Sequence, residues 1–187
     1  MNRIMIYCGM AWLAISSIAC AADTNLVVVR TVGSVNGELD SRILSWVSGS
    51  ISQATDGGAF ETSETNLEAI ATAVSLAQTN KAQLVLVLAG QCRATDQVRV
   101  LTNGVAVVNL NALKLVDMAK PAARETYERR IEKESVSGLA TLLSMPPCPF
   151  PLCALYQHEN VEALDAKGRN LCPPCTEKLQ EVVGKRK

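Results

Sequence analysis

The chain has 187 residues, the size of one ordinary domain; 48% are apolar and 19% charged, so a sizeable core is expected and global disorder is excluded. Eighteen Lys and Arg balance eighteen Asp and Glu, and aromatic residues make up 4%, which leaves nucleic acid neither a basic surface nor a stacking platform as a partner. The single histidine, His158, excludes any mechanism built on a three-histidine zinc site.

Residues 1–22 read as an export signal rather than as part of the fold. Arg3 supplies the positive end, Ile4 to Ile18 is an apolar run, and Ala19-Cys20-Ala21-Ala22 is a small-residue cleavage zone. The run is too short to span a bilayer, and nothing later approaches ~20 consecutive apolar residues. Cleavage after an A-x-A site leaves an exported chain, periplasmic or secreted. Ser17-Ile18-Ala19-Cys20 also resembles a lipoprotein box, so a membrane is expected as a partner only through a lipid on Cys20.

Residues 23–187 then read as one mixed α/β domain without repeats. Leu26 to Val32 is a β-branched run ended by Gly33, a predicted first strand. Glu38 to Ser50 carries Leu39, Ile43, Leu44, Trp46 and Val47 at helical spacing. Thr55-Asp56-Gly57-Gly58 reads as a turn. Ser63 to Thr65 can cap a second helix, Asn66 to Gln78, with Leu67, Ile70, Val74 and Ala77 on one face. Leu84 to Leu88 is an uninterrupted apolar run and reads as a buried strand.

Gln91 to Gln97 is a polar loop, and Val98–Leu101 and Val105–Val108 read as strands joined at Asn103-Gly104. Pro121 opens a long helical pattern, Ala122 to Leu143, that must end by Pro146-Pro147. Its Arg124, Glu125, Glu128, Arg129, Arg130 and Glu132 read as a solvated face with mutual ion pairs. Short turns follow, with a small helix at Val161 to Lys167 and a last one at Thr176 to Val183.

The cysteines carry the strongest signal. Cys148, Cys153, Cys172 and Cys175 form C-x4-C and C-x2-C pairs, the spacing of a tetrahedral four-cysteine Zn²⁺ site. Prolines 147, 149, 151, 173 and 174 stiffen the turns that aim these thiols. The same four could instead form two disulfides in an oxidising compartment. Cys172-Pro173-Pro174-Cys175 could also serve as a redox pair, although such a pair belongs after an early strand and this one is near the C-terminus. Cys92 stands alone.

The stretch from Lys133-Glu134-Ser135-Val136-Ser137-Gly138-Leu139-Ala140-Thr141 through Cys148-Pro149-Phe150-Pro151-Leu152-Cys153, continuing at Lys167-Gly168-Arg169 and Cys172-Pro173-Pro174-Cys175, resembles the archaemetzincins. That family of zinc metalloproteases carries H-E-x-x-H-x-x-G-x-x-H immediately before a cysteine, then C-x4-C-x-M, K-G-R and C-x-x-C. The resemblance is close from Lys133 to Leu179 and weaker upstream. It implies a twisted mixed β-sheet packed with helices, and a small C-terminal subdomain, 145–187, stabilised by one structural zinc on Cys148, Cys153, Cys172 and Cys175.

Laid on this chain, the family's three histidines fall on Ser137, Thr141 and Pro147, and its general-base glutamate on Gly138. The helix-ending glycine falls on Ser144 and the Met-turn methionine on Leu155. A catalytic zinc needs three protein ligands, an open position for water and a nearby carboxylate. Neutral hydroxyls and a proline cannot supply these. Glu134 could face the same way as Gly138, but without a bound water it has nothing to activate. His158 with Glu159 could join a remodelled metal site, but reads as surface loop. Ser137 and Lys133, four apart, could be a nucleophilic pair, but such pairs are common on solvated helices.

The resulting expectation is an exported pseudoprotease of the archaemetzincin type, with no catalytic residues, one structural zinc, and an unknown peptide or protein as partner. The alternatives are a thiol-redox or metal-handling exported protein that uses the cysteines, and a zinc metallopeptidase with atypical ligands.

Overall fold

A computed structural model describes residues 26–31, 37–50, 54–60, 66–79, 84–95, 97–102 and 104–185. The export segment, the Ser63–Thr65 cap and the predicted strand's Val32 lie outside the described residues. Five strands, β1 (Leu26–Thr31), β2 (Ala54–Phe60), β3 (Leu84–Ala89), β4 (Arg99–Thr102) and β5 (Val105–Asn109), form one sheet in the order β2-β1-β3-β5-β4. All pairings are parallel except β4 with β5, which makes β4 an antiparallel edge.

The expected turn at Thr55–Gly58 is inside a strand. Along β1 the register moves two residues, from Val28 to Arg30, while along β2 it moves three, from Asp56 to Ala59. The glycine pair therefore accommodates a bulge in β2. Turn chemistry and bulge chemistry use the same residues, and only the partner strand separates them.

β3 and β5 are buried on both faces, and their alternating side chains sort into two apolar layers. Leu84, Leu86, Leu88, Ala106 and Val108 join the larger cluster with Leu39, Ile43, Ile131, Leu139 and Leu179. These come from α1 (Gly37–Ser50), α3 (Pro121–Leu142) and α5 (Pro173–Lys185). Val85, Val87, Val105 and Val107 pack on the other face with Ala69, Ile70 and Val74 of α2 (Asn66–Thr79). Cys92 is fully buried in this second layer, so its place is in the packing. Its carbonyl accepts from Asn111 Nδ2 at 3.0 Å.

The β4–β5 hairpin forms as expected, with Gly104 at φ 83°. The small helix is α4 (Val161–Ala166), and α5 starts earlier than expected because Pro173 and Pro174 fit a first helical turn. The face of α3 predicted as solvated is only partly so. Arg129 pairs with Glu125 on the same helix, but Glu128 and Glu132 reach across to Arg42 of α1, at 3.1 and 2.9 Å. Arg130 is buried: it grips Asp165 of α4 through Nε and Nη2, at 2.7 and 2.6 Å, and donates to the Leu113 carbonyl. Tertiary partners that arrive later in the chain override the local pairing pattern.

The end of α3 fixes the entry to the cysteine region. Met145 N–H donates to the Ala140 carbonyl and Ser144 N–H to the Thr141 carbonyl, both at 2.9 Å, the paired bonds of a Schellman stop. Such a stop needs left-handed backbone, and Ser144 adopts it, at φ 63°, without being glycine. Ser144→Gly is therefore expected to stabilise the protein by about 1 kcal/mol, a rise of roughly 2–4 °C in Tm for a chain of this size. Ser144→Ala should give no such rise, and thermal melts of both variants check this.

Candidate functional site

The chain leaves α3 through Pro146-Pro147 and enters a tight loop, 148–153, in which Cys153 N–H donates to the Phe150 carbonyl at 3.0 Å. The segment before α5 runs alongside: Ala154 N–H donates to the Asn170 carbonyl at 2.9 Å. This approach depends on Gly168, where an added Cβ would lie 1.7 Å from the Leu152 carbonyl oxygen. It brings the four expected cysteines together, with all Sγ atoms within 4.8 Å of one another.

Cys148 Sγ and Cys172 Sγ are 3.7 Å apart. That matches the ~3.8 Å edge of a tetrahedron with zinc–sulfur bonds of about 2.3 Å, and is far beyond the roughly 2.05 Å of a disulfide. Backbone N–H groups of Phe150 and Cys172 point at Cys148 Sγ and Cys153 Sγ, at 3.5 and 3.4 Å, as donors to metal-bound thiolates do. Burial pushes the Cys148 and Cys175 thiols up, while a hydrogen bond from the Cys175 backbone holds Cys172 down. The donor set fits zinc, which takes four soft ligands without further geometric demands. Among the described residues it is the one group of three or more His, Cys, Asp or Glu side chains placed to hold a metal ion.

The positions where a catalytic zinc was considered have a different structure. Ser137 is buried, donates its hydroxyl to the Ala154 carbonyl at 2.7 Å and accepts from Lys167 Nζ at 3.0 Å. Thr141 turns its hydroxyl back to the Ser137 carbonyl at 2.8 Å. Leu155, at the Met-turn position, is core, and Pro147 lines an open groove. These residues do not fit a catalytic metal.

What occupies the region is a buried charge cluster. Glu134, 1% exposed, accepts from Arg99 Nη1 of β4 at 3.0 Å through one oxygen. Its other oxygen meets Lys167 Nζ at 3.4 Å and His158 Nε2 at 3.3 Å. Lys167 has no exposed side-chain surface. Its three N–H bonds match three acceptors, Glu134, Ser137 Oγ and His158 Nδ1, the last at 3.5 Å. A neutral His158 with its proton on Nε2 completes the network. Burial is the chief cause that lowers both the Lys167 and His158 pKa, against the opposing pull of Glu134.

Two expectations are corrected here. His158 is not surface loop: its side chain is 13% exposed and bonded to Glu134. Lys133 does not pair with Ser137, nor is either residue solvated; Lys133 Nζ donates to the carbonyls of Leu164 and Asp165 at the end of α4. The lysine that reaches Ser137 is Lys167. Both partners are closed to substrate and the serine proton is already given to a main-chain carbonyl, so the pair is structural. At Gly138 an added Cβ would lie 3.5 Å from Arg99 Cδ, an ordinary contact, so Arg99 packs against this position without requiring a glycine there. Beside the cluster opens a groove of about 630 Å³, lined by Arg99, Pro147, Pro149, Tyr156, His158 and Glu159 among others.

The chain is 28% identical over 82 residues to archaemetzincin of Pyrococcus furiosus, a match that covers 44% of this chain and 43% of that protein's length. Its fold is similar to the crystal structure of archaemetzincin from Methanopyrus kandleri, with a TM-score of 0.61 and 20% identity, covering 89% of this chain and 98% of that one. A zinc-dependent peptidase from Methanocorpusculum labreanum gives a TM-score of 0.62 at 19% identity, over 83% of this chain and all of that one. No family model matches the chain. Homology and a shared fold follow from these likenesses.

Two outcomes are expected from the cluster. Lys167→Met removes one partner of a buried carboxylate and should cost about 3–5 kcal/mol, whereas Lys167→Met combined with Glu134→Gln should recover much of that; chemical denaturation of both variants measures it. Because the His158 pKa is lowered from its ordinary 6.5 in the fold, the unfolded chain takes up the proton first as the pH falls. Stability from this residue is therefore present above that range and is lost on acidification through it. Unfolding measured against pH should show this limb, and His158→Gln should flatten it.

Proposed function

We propose that this archaemetzincin homologue is an exported pseudoprotease that keeps one structural zinc and uses the inherited cleft to hold peptides without cutting them. The observation that carries the reading is the fate of one helix face. Ser137 and Thr141 spend their hydroxyls on main-chain carbonyls, Gly138 has no side chain, and Glu134 is locked among Arg99, Lys167 and His158. On this face of α3 no side chain is left to bind and deprotonate a water.

Cys148, Cys153, Cys172 and Cys175 would hold the structural zinc, which supplies a four-point cross-link when bound. The chain's own residues do the remainder. Gly168 admits the close approach of the two cysteine pairs, and Arg130 and Lys133 fasten α4 to α3. The groove then lies between the edge strand β4 and the cysteine loop, a setting suited to an extended peptide added to the sheet. Export rests on residues 1–22 alone.

The competing thiol-redox reading has one observation in its favour: Cys172 directly precedes α5 and its pKa is lowered. Metal analysis with thiol titration of the mature protein, purified from its own compartment without added metal, separates the readings. One zinc per chain, four protected thiols and no peptide cleavage are expected. Two zincs with cleavage would overturn the pseudoprotease, and two disulfides without zinc would favour redox chemistry. Gly168→Ala should lower zinc retention and Tm together, because its Cβ meets backbone rather than a movable side chain.

A further inference from the structure

The buried cluster leaves an unbalanced charge, and the position of that charge at the edge strand points to a specific ligand group. Arg99 and Lys167 are cations and Glu134 is the one anion they share, while a proton on His158 would only add to the positive side. Within the buried cluster at least one positive charge is in excess; Glu159, which also lines the groove, is exposed to solvent. Lys167 has no exposed surface and its three N–H bonds are used inside. The surplus is therefore presented by Arg99, whose side chain is 25% exposed and lines the groove. Only its Nη1 is bonded to Glu134; among the described residues Nε and Nη2 have no partner. A guanidinium with one nitrogen anchored and two donors on one side can take a carboxylate through paired hydrogen bonds.

Arg99 is also the first residue of β4, and β4 is one of the two edge strands of the sheet. A peptide strand antiparallel to β4 runs from the Thr102 end towards Arg99, so the end that arrives at Arg99 is its C-terminus. A parallel strand would bring its N-terminal ammonium to the same guanidinium, where like charges repel. Leu101, two residues along and 39% exposed, offers an apolar contact on the same face of the strand.

We infer that the groove is a receptor for peptide C-termini, in which Arg99 clasps the terminal carboxylate while the peptide backbone pairs antiparallel with β4. This rests on the reading of the cleft as a peptide holder and adds to it the group that is recognised.

The test uses the full mature chain, immobilised, and a pool of random synthetic hexapeptides in which each sequence is present as free acid and as C-terminal amide. Mass spectrometry of the retained peptides gives the acid-to-amide ratio. Retention of peptides with acids enriched about tenfold or more is expected, as loss of a charge-assisted carboxylate contact implies. Arg99→Gln removes the surplus cation and leaves Glu134 paired with Lys167, so no buried charge is stranded; this variant should remain folded by its thermal melt and retain acids and amides alike. Arg99→Lys, which keeps a charge opposite Glu134 but not the fork, should reduce the ratio. Equal retention of acids and amides by the unaltered protein would overturn the carboxylate assignment and leave the peptide holder standing. Retention of neither form would overturn both.

Discussion

A carboxylate that is 1% exposed cannot remain unpaired, because transfer of an isolated charge out of water costs far more than a domain's whole stability. Glu134 therefore requires the convergence of Arg99 from the edge strand, Lys167 from the segment before the second cysteine pair, and His158 from the loop between the two pairs. The sheet, the long helix and the C-terminal region meet at this one side chain. The neighbouring contacts have the same directions: Arg130 to Asp165 and Lys133 to the last carbonyls of α4. A single stripe of α3, residues 130, 133, 134 and 137, holds the C-terminal region to the sheet through charge and hydrogen bonding rather than through apolar contact alone. Buried networks of this kind favour a unique arrangement only when every member is satisfied, and here the lysine, the carboxylate and the imidazole all are.

The architecture and the donors at the old catalytic positions have separate fates. The helix stop keeps its left-handed residue although the residue is Ser144, and the close approach at residue 168 keeps its glycine. Leu155 fills the core where the family carries methionine. The backbone brings four thiols within bonding range of one ion, while Ser137 and Thr141 direct their hydroxyls to main-chain carbonyls and Gly138 carries no side chain.

The sequence made the regular elements legible wherever periodicity was strong. Leu84–Ala89 is apolar throughout because both faces are covered, and the spacing of the two cysteine pairs marks the four thiols that the fold brings together. It misled where one residue type serves two geometries, as at Gly57-Gly58, which form a bulge against β1 instead of a turn. The charge cluster was hidden for a different reason. Glu134 lies 35 residues after Arg99 and 33 before Lys167, and no local pattern marks a lysine that will be buried. The one available signal was the isolated Lys167-Gly168-Arg169 itself, since a glycine that tolerates no side chain commonly marks where two backbones touch.

The chain order of the cluster also bears on how the protein is made. Arg99 and Glu134 emerge well before Lys167, whether from the ribosome or from an export channel, so a partly emerged chain can pair the sheet and form α3 while its buried carboxylate still has only one of its cations. Until the lysine arrives, burying that face is costly and the helix has reason to remain loosely attached to the sheet. The cysteines straddle the lysine, with Cys148 and Cys153 before it and Cys172 and Cys175 after it, so the last two thiols emerge only when the charge can be balanced. Electrostatic closure thus becomes possible before the thiol site is complete, an order of assembly that limits how long a half-built cysteine site faces solvent on a finished core.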